Sequence, residues 1–173
     1  MAELSSRERL QPALLDRLTD DDPLNRQPEP REARVINKNR FRQGVLRDLA
    51  WLLNATRLAT GEELAGLPHV EGSVVNYGLP SLSGETASTV DVLELEDRLR
   101  QAIQFYEPRI LRSSLDVRAI FSESDMHQHN VVSIEIRGSL WAHPIPIEML
   151  LRTDLDLETG EVRIHDLDGS VSR

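Results

Sequence analysis

The stretch Phe105-Tyr106-Glu107-Pro108-Arg109-Ile110 decides how the rest of the chain reads, because a helical pattern runs into it and a strand pattern runs out of it. Pro108 fixes its own φ and pushes Glu107 out of the α region, so the helix carrying Phe105 and Tyr106 toward the core ends here. Glu107 and Arg109 then stand on a rigid corner. Two readings of that pair are open: a docking point for another chain through charge-assisted hydrogen bonds, or a helix stop with two solvated charges.

Upstream, Ser88-Thr89-Val90-Asp91 has the form of a capping box and opens a helix whose apolar residues are Val92, Leu95, Leu99, Ala102, Ile103 and Tyr106. Glu94, Glu96, Asp97, Arg98 and Arg100 lie largely on its other side. Downstream the period changes to two. Leu115, Val117, Ala119 and Phe121 form one alternating run, and Val132, Ile134, Ile136, Gly138 and Leu140 form a second. A third runs from Ile147 to Leu157. Glu158-Thr159-Gly160 makes a short turn, and Val162 and Ile164 begin the returning strand. One oily face and one wet face mark an antiparallel sheet covered on one side. The fold class is therefore α+β, an antiparallel sheet of about four strands with two main helices on one face. The segment from Asp166 to the end is expected to fray unless another chain holds it.

The other main helix is read from Phe41, Val45, Leu49, Leu52, Leu53 and Thr56, with Asn37 or Asn39 as its N-cap. Arg40, Arg42, Arg47 and Asp48 fall off that face. Leu46, Ala50 and Trp51 widen the apolar surface, which predicts burial on more than one side; the alternative for Trp51 is an anchor for a partner. Between Thr60 and Ser88 seven Gly and Pro residues leave no place for a helix or a long strand, while Leu64, Leu67, Val70, Val74, Val75, Tyr77, Leu79 and Leu82 are spaced to pin the loop to the core. Neither phosphate-loop motif occurs in it. Residues Arg7 to Leu18 form a short amphipathic pattern through Leu10, Leu14, Leu15 and Leu18, with Pro12 in its first turn. It needs its own domain or a partner's groove to lie on. Pro23, Pro28 and Pro30 then read as a linker. The division is an N-terminal helix and linker over 1–36 and a folded unit over 37–173.

Twenty basic against 29 acidic residues give a net charge of −9, which argues against a phosphate-backbone partner. The absence of cysteine excludes disulfides and thiolate metal sites and fits a reducing compartment. No segment is apolar enough to span a bilayer, so the expected location is the cytoplasm. His127-Gln128-His129 with His143 would be a zinc site, yet its polar neighbours read as a hairpin loop. Asp154-Leu155-Asp156-Leu157-Glu158-Thr159-Gly160 has acids at calcium-loop intervals but its glycine one place late, so strand and hairpin fit better. No nucleophile elbow, catalytic cysteine or kinase loop is present. The reading is no enzyme, no catalytic residue, no metal and no cofactor.

Three stretches, Leu46-Arg47-Asp48-Leu49-Ala50-Trp51-Leu52-Leu53-Asn54, Val75-Asn76-Tyr77-Gly78-Leu79-Pro80-Ser81-Leu82-Ser83-Gly84 and Tyr106-Glu107-Pro108-Arg109-Ile110, together with Leu14-Leu15-Asp16-Arg17-Leu18, carry a family resemblance. In order and spacing they resemble the TssE baseplate subunits of type VI secretion systems, within the contractile-phage baseplate wedge proteins labelled "lysozyme-like". Ser81, where the family usually has an acid, and Ala55, where Thr is common, depart from the pattern. The resemblance implies a structural subunit that sits with TssF, TssG and TssK, docks its Glu107-Pro108-Arg109 corner on a helical core bundle, and offers a sheet edge in the region 130 to 165 to the sheath subunits TssB and TssC. Glu107, Pro108, Arg109, Trp51, Asn76 and Tyr77 are the expected partner-binding residues. A glycan or peptidoglycan hydrolase and a stand-alone binding module of the same fold are the competing readings.

Overall fold

Asn37 starts the longest helix, α2 (Lys38–Leu53), by accepting the Arg40 N–H at 2.8 Å on its side chain, which satisfies one of the orphan donors of a helix start. The computed structural model describes residues 10, 13–19, 36–59, 62–81, 91–120 and 131–168. The three linker prolines, Pro12, Ser88 to Val90, Phe121, the His127-Gln128-His129 triplet and everything from Gly169 on lie outside the described residues.

Along α2, Phe41, Gly44, Val45, Leu49, Leu52 and Leu53 are buried. Leu46 packs partly against the core, but Trp51 is 52% exposed. The expected burial on a second side thus stops short of the tryptophan, which falls on the far side of the stripe made by positions 45, 49, 52 and 53. The second long helix, α4 (Val92–Tyr106), begins at Asp91, whose Oδ1 accepts the N–H groups of Leu93 and Glu94. The cap is thus the last residue of the expected box. Leu95, Leu99, Ala102 and Ile103 are buried. Phe105 was expected in the core and is 58% exposed, because it lies about 100° round the helix from Tyr106, which faces inward. Two short helices complete the set: α1 (Leu14–Leu18) precedes this pair and α3 (Pro68–Glu71) lies between its members, a single turn begun by Pro68 in the loop where no helix is expected. Of the expected helix from Arg7 to Leu18, the described residues are helical over Leu14–Leu18, with Ala13 as N-cap, while Leu10 forms a bridge to Ile36 instead.

The sheet is antiparallel in the order β1 (Asp116–Ile120), β2 (Val131–Leu140), β3 (Ile147–Asp156) and β4 (Val162–Asp166). Its register puts Val117, Ile136, Leu151 and Asp166 in one row and Ala119, Ile134, Thr153 and Ile164 in the next. Those rows face α2 and α4, with α4 against β1 and α2 against β4. Buried Thr153 donates its hydroxyl to the Ile134 carbonyl at 3.2 Å, so no polar atom is stranded there. The opposite face lines up Arg118, Glu135, Arg152 and His165, which keeps it wet. The carboxylate run beginning at Asp154 is strand and hairpin: Asp156 Oδ1 caps the turn by accepting from Glu158 and Thr159, and Gly160 takes φ 72°.

β2 and β3 are interior strands, so within the region 130 to 165 the edge expected to receive another strand narrows to β4. That edge is partly closed. Asn54, just past α2, donates from Nδ2 to the Val162 carbonyl and accepts the Val162 N–H, both at 2.9 Å. The other edge, β1, is closed by α4: Glu96 accepts the Ala119 N–H at 2.7 Å and Arg100 donates to the Val117 carbonyl at 3.2 Å. Side chains here stand in for a neighbouring strand, a way to blunt an edge. The expectation that the chain frays from Asp166 fails for its first residues. Arg42 of α2 grips Asp166 with Nε at 2.8 Å and Nη2 at 2.5 Å, and reaches the Glu148 carbonyl, while Asp168 accepts the Leu150 N–H at 2.8 Å.

Candidate functional site

Glu107 caps α4 in the conformation its proline demands, φ −119° and ψ 77°. Its side chain is 3% exposed, and it is the only charged residue buried among those described. Both carboxylate oxygens turn to Arg109. Oε1 accepts from the Arg109 N–H at 3.1 Å and from Nε at 2.7 Å, and Oε2 accepts from Nη2. The same Nη2 donates to Asp48 Oδ2 of α2 at 2.6 Å. Of the two sequence readings, the one with two solvated charges fails, because Glu107 is buried and points inward to its own base. Burial works against the charged Arg109 guanidinium, but hydrogen bonds and charge from Glu107 and Asp48 outweigh it and hold the group well above the usual arginine range.

The cluster continues outward. Arg47 donates from Nε to Asp48 Oδ1 at 2.9 Å and from Nη1 to Asp16 Oδ1 of α1 at 2.5 Å. Burial raises the Asp16 carboxyl, yet Arg47, the Ala13 N–H and Arg109 together bring it below its usual value. Gly44 makes room for this meeting: a Cβ there would lie 3.3 Å from Asp16 Oδ2 and 3.8 Å from Arg109 Nη1. The Arg47 guanidinium also sits 5.2 Å from the centre of the Trp51 ring, a cation–π contact on the surface. Three acids and two bases are thus interlocked around one corner. Leu14 and Leu18 of α1 are 72% and 74% exposed, so α1 is tied down by Asp16 and not by its leucines.

Asn76 and Tyr77 are turned to the fold's own needs. Asn76 is 4% exposed; it accepts the Ala59 N–H at 3.0 Å and donates to the Glu71 carbonyl. Tyr77 packs edge-on against Tyr106 with ring centres 5.1 Å apart. Its hydroxyl donates to the Asp48 carbonyl at 3.4 Å, and burial, then Asp48 and Glu107, push its phenol up. Tyr106 aims its own hydroxyl at the carbonyls of Asn76 and Ser73, 2.9 and 3.0 Å away. The long loop is therefore pinned through these two tyrosines and buried Leu79, and not as expected through Leu67, Val70, Val74 and Val75, which are exposed because the short turns they sit on point outward. Trp51, Asp48, Tyr77, Glu107 and Arg109 share one region, joined through Arg47 and Asp48. Sequence reading missed Asp48 and Asp16 as the partners of the corner, although Asp48 stood off the apolar stripe of its helix.

Among the described residues no group of three or more His, Asp or Glu side chains is arranged to hold a metal ion, and no helix is long and apolar enough to cross a membrane. The family model for baseplate wedge protein gp25 matches residues 39–145, from the first turn of α2 to just past β2. No curated protein and no solved structure matches the chain.

Proposed function

The chain belongs to the gp25 baseplate wedge family, and from that premise we propose that it is the TssE-type wedge subunit of a type VI secretion baseplate. The family is structural, so the chain works by contact with other baseplate components. In this reading TssF, TssG and TssK are its baseplate neighbours and TssB and TssC the sheath subunits it starts, in the cytoplasm.

The observation that carries the docking part is Arg109, held rigid by Glu107 and Asp48 with its side chain still 21% exposed. A preordered guanidinium loses little freedom when a partner carbonyl or carboxylate reaches its open edge. Trp51 and Arg47 beside it supply an apolar anchor and a second cation. Pro108 is exposed at the turn. Glu107 is a positioning residue, since its oxygens are spent on Arg109. For the sheath, the edge of β4 beyond Val162 is the place for an added strand: the ladder directs the Ile164 N–H and C=O away from β3, whereas α4 side chains occupy β1.

Co-purification tests this. Arg109→Lys keeps a charge for Glu107 and loses the fork that meets two partners at once. With its melting curve checked against the parent, the variant should recover much less TssF and TssG. Undiminished recovery by a folded Arg109→Lys chain removes the corner from the interface.

A further inference from the structure

Arg57 sits where two loop segments are tied side by side. Its N–H donates to the Leu79 carbonyl at 2.8 Å, the Leu79 N–H donates to the Ala55 carbonyl at 2.8 Å, and Thr56 bridges Leu79 in parallel. Two residues on, the Ala59 N–H is fixed to Asn76. The backbone under Arg57 is therefore as well anchored as a strand. The side chain is not. Its Nε is buried and has no hydrogen-bond partner, and among the described residues no carboxylate pairs with it, in a chain carrying nine more acids than bases. A charged donor withdrawn from water without an acceptor is costly, and such exceptions call for an explanation.

The guanidinium borders a cleft against α4, lined also by Gln101, Phe105, Tyr106, Arg98 and Glu71. The cavity is about 50 Å³, several times the roughly 15 Å³ that one water needs, so a carboxylate group fits. Phe105 stands open at its mouth, 58% exposed. Arg98 is already paired with Glu94, which leaves Arg57 as the group with unspent donors. Its charge is felt at the Tyr106 hydroxyl, where it opposes the effect of burial.

We propose that this cleft recognises one acidic side chain of a partner protein, presented beside an apolar residue. Arg57 takes the carboxylate through its terminal nitrogens, Gln101 lies within the same lining, and Phe105 carries the apolar neighbour. Charge complementarity selects the occupant, and Glu71 on the rim repels a run of acids in favour of a single one. The site is separate from the Arg109 corner and holds whether or not the chain docks in a baseplate.

The full chain, labelled with nitrogen-15, can be titrated with three peptides and followed at the Arg57 Nε–H and Phe105 amide signals. These are acetyl-phenylalanyl-glutamate amide, its glutamine counterpart, and acetyl-phenylalanyl-glycine with a free carboxyl end. The glutamate peptide should shift both signals saturably and the glutamine peptide should shift neither. Arg57→Lys should need about tenfold more peptide at the Phe105 signal, and Arg57→Gln should not saturate, both with unchanged melting curves. Equal response to the glutamine peptide, saturation that survives Arg57→Gln, or binding by the free-carboxyl peptide alone each overturns the assignment.

Discussion

Arg109 Nη2 lies 2.6 Å from Asp48 Oδ2 across 61 residues of sequence, so the turn that ends α4 is bolted to the middle of α2. Glu107, 3% exposed, completes the bolt. Removing one member of such a pair strands the other, and the cost depends on how dry the survivor is. Glu107→Ala should destabilise the chain by about 3 kcal/mol, and Asp48→Ala, whose side chain is 25% exposed, by about 1 kcal/mol. Urea unfolding of both variants measures the difference. An unchanged midpoint for Glu107→Ala would show that the pair contributes nothing to folding.

Asn54 spends both ends of its amide on the backbone of Val162. Asn54→Ala should cost about 1–2 kcal/mol and leave the N–H and C=O of Val162 open at a sheet edge. Hydrogen exchange at the Val162 amide should quicken, with no matching change at Ala119 on the other edge, where Glu96 still accepts. Equal exchange at Val162 in parent and variant contradicts the clamp.

The alternation of Val132, Ile134 and Ile136 and the stripes of α2 and α4 made the α+β layers legible, because periodicity records which face is dry. Side-chain partners far apart in sequence left no such trace. Nothing periodic announces that Arg42 will hold Asp166, that Asn54 will imitate a strand beside Val162, or that Asp16 will reach Arg47. The same limit explains the corner: Pro108 fixed where the helix stops, but whether Glu107 turned outward or inward depended on Asp48 and Arg109 meeting in three dimensions. Phe105 and Trp51 misled for a related reason. Large apolar residues beside a stripe read as core until the helix is rotated against its actual neighbours, and both are more than half exposed.

Asp16 ties α1 to Arg47, and its carboxyl is lowered from 3.8 in the folded chain. A depressed acid contributes stability that is fully present above the unfolded value and is lost as pH falls through the folded one. The stability difference between parent and Asp16→Asn should therefore be constant at neutral pH and shrink only below about pH 4. Denaturant titrations of both chains across pH 3 to 7 check it. A difference that already vanishes near pH 6 would mean that Asp16 is not the group responsible.

Gly78 holds φ 120°, and a Cβ built on it would lie 2.3 Å from the Ala55 carbonyl oxygen. Both the backbone conformation and the close approach need glycine. Gly78→Ala should cost about 2–3 kcal/mol and loosen the Leu79 bonds that seat Arg57. Gly66 has φ 89° and open space around it, so Gly66→Ala should cost about 1 kcal/mol. Thermal melts rank the two, and the reverse order is the failing result.

Trp51 separates stability from docking. It is 52% exposed, with Arg47 over its ring 5.2 Å from the centre, so truncation removes little buried area from the isolated chain. An exposed cation–π contact is worth about 0.5–1 kcal/mol, and Trp51→Ala should lower the unfolding free energy by no more than that. At an interface the same ring would be covered entirely, and buried tryptophans are among the side chains whose loss costs about 2 kcal/mol or more. Recovery of TssF and TssG with the Trp51→Ala chain should therefore fall well over tenfold while its melting curve scarcely moves. Full recovery would place the tryptophan outside the contact and leave Arg109 to carry it alone; a large drop in melting temperature would instead make Trp51 part of the fold.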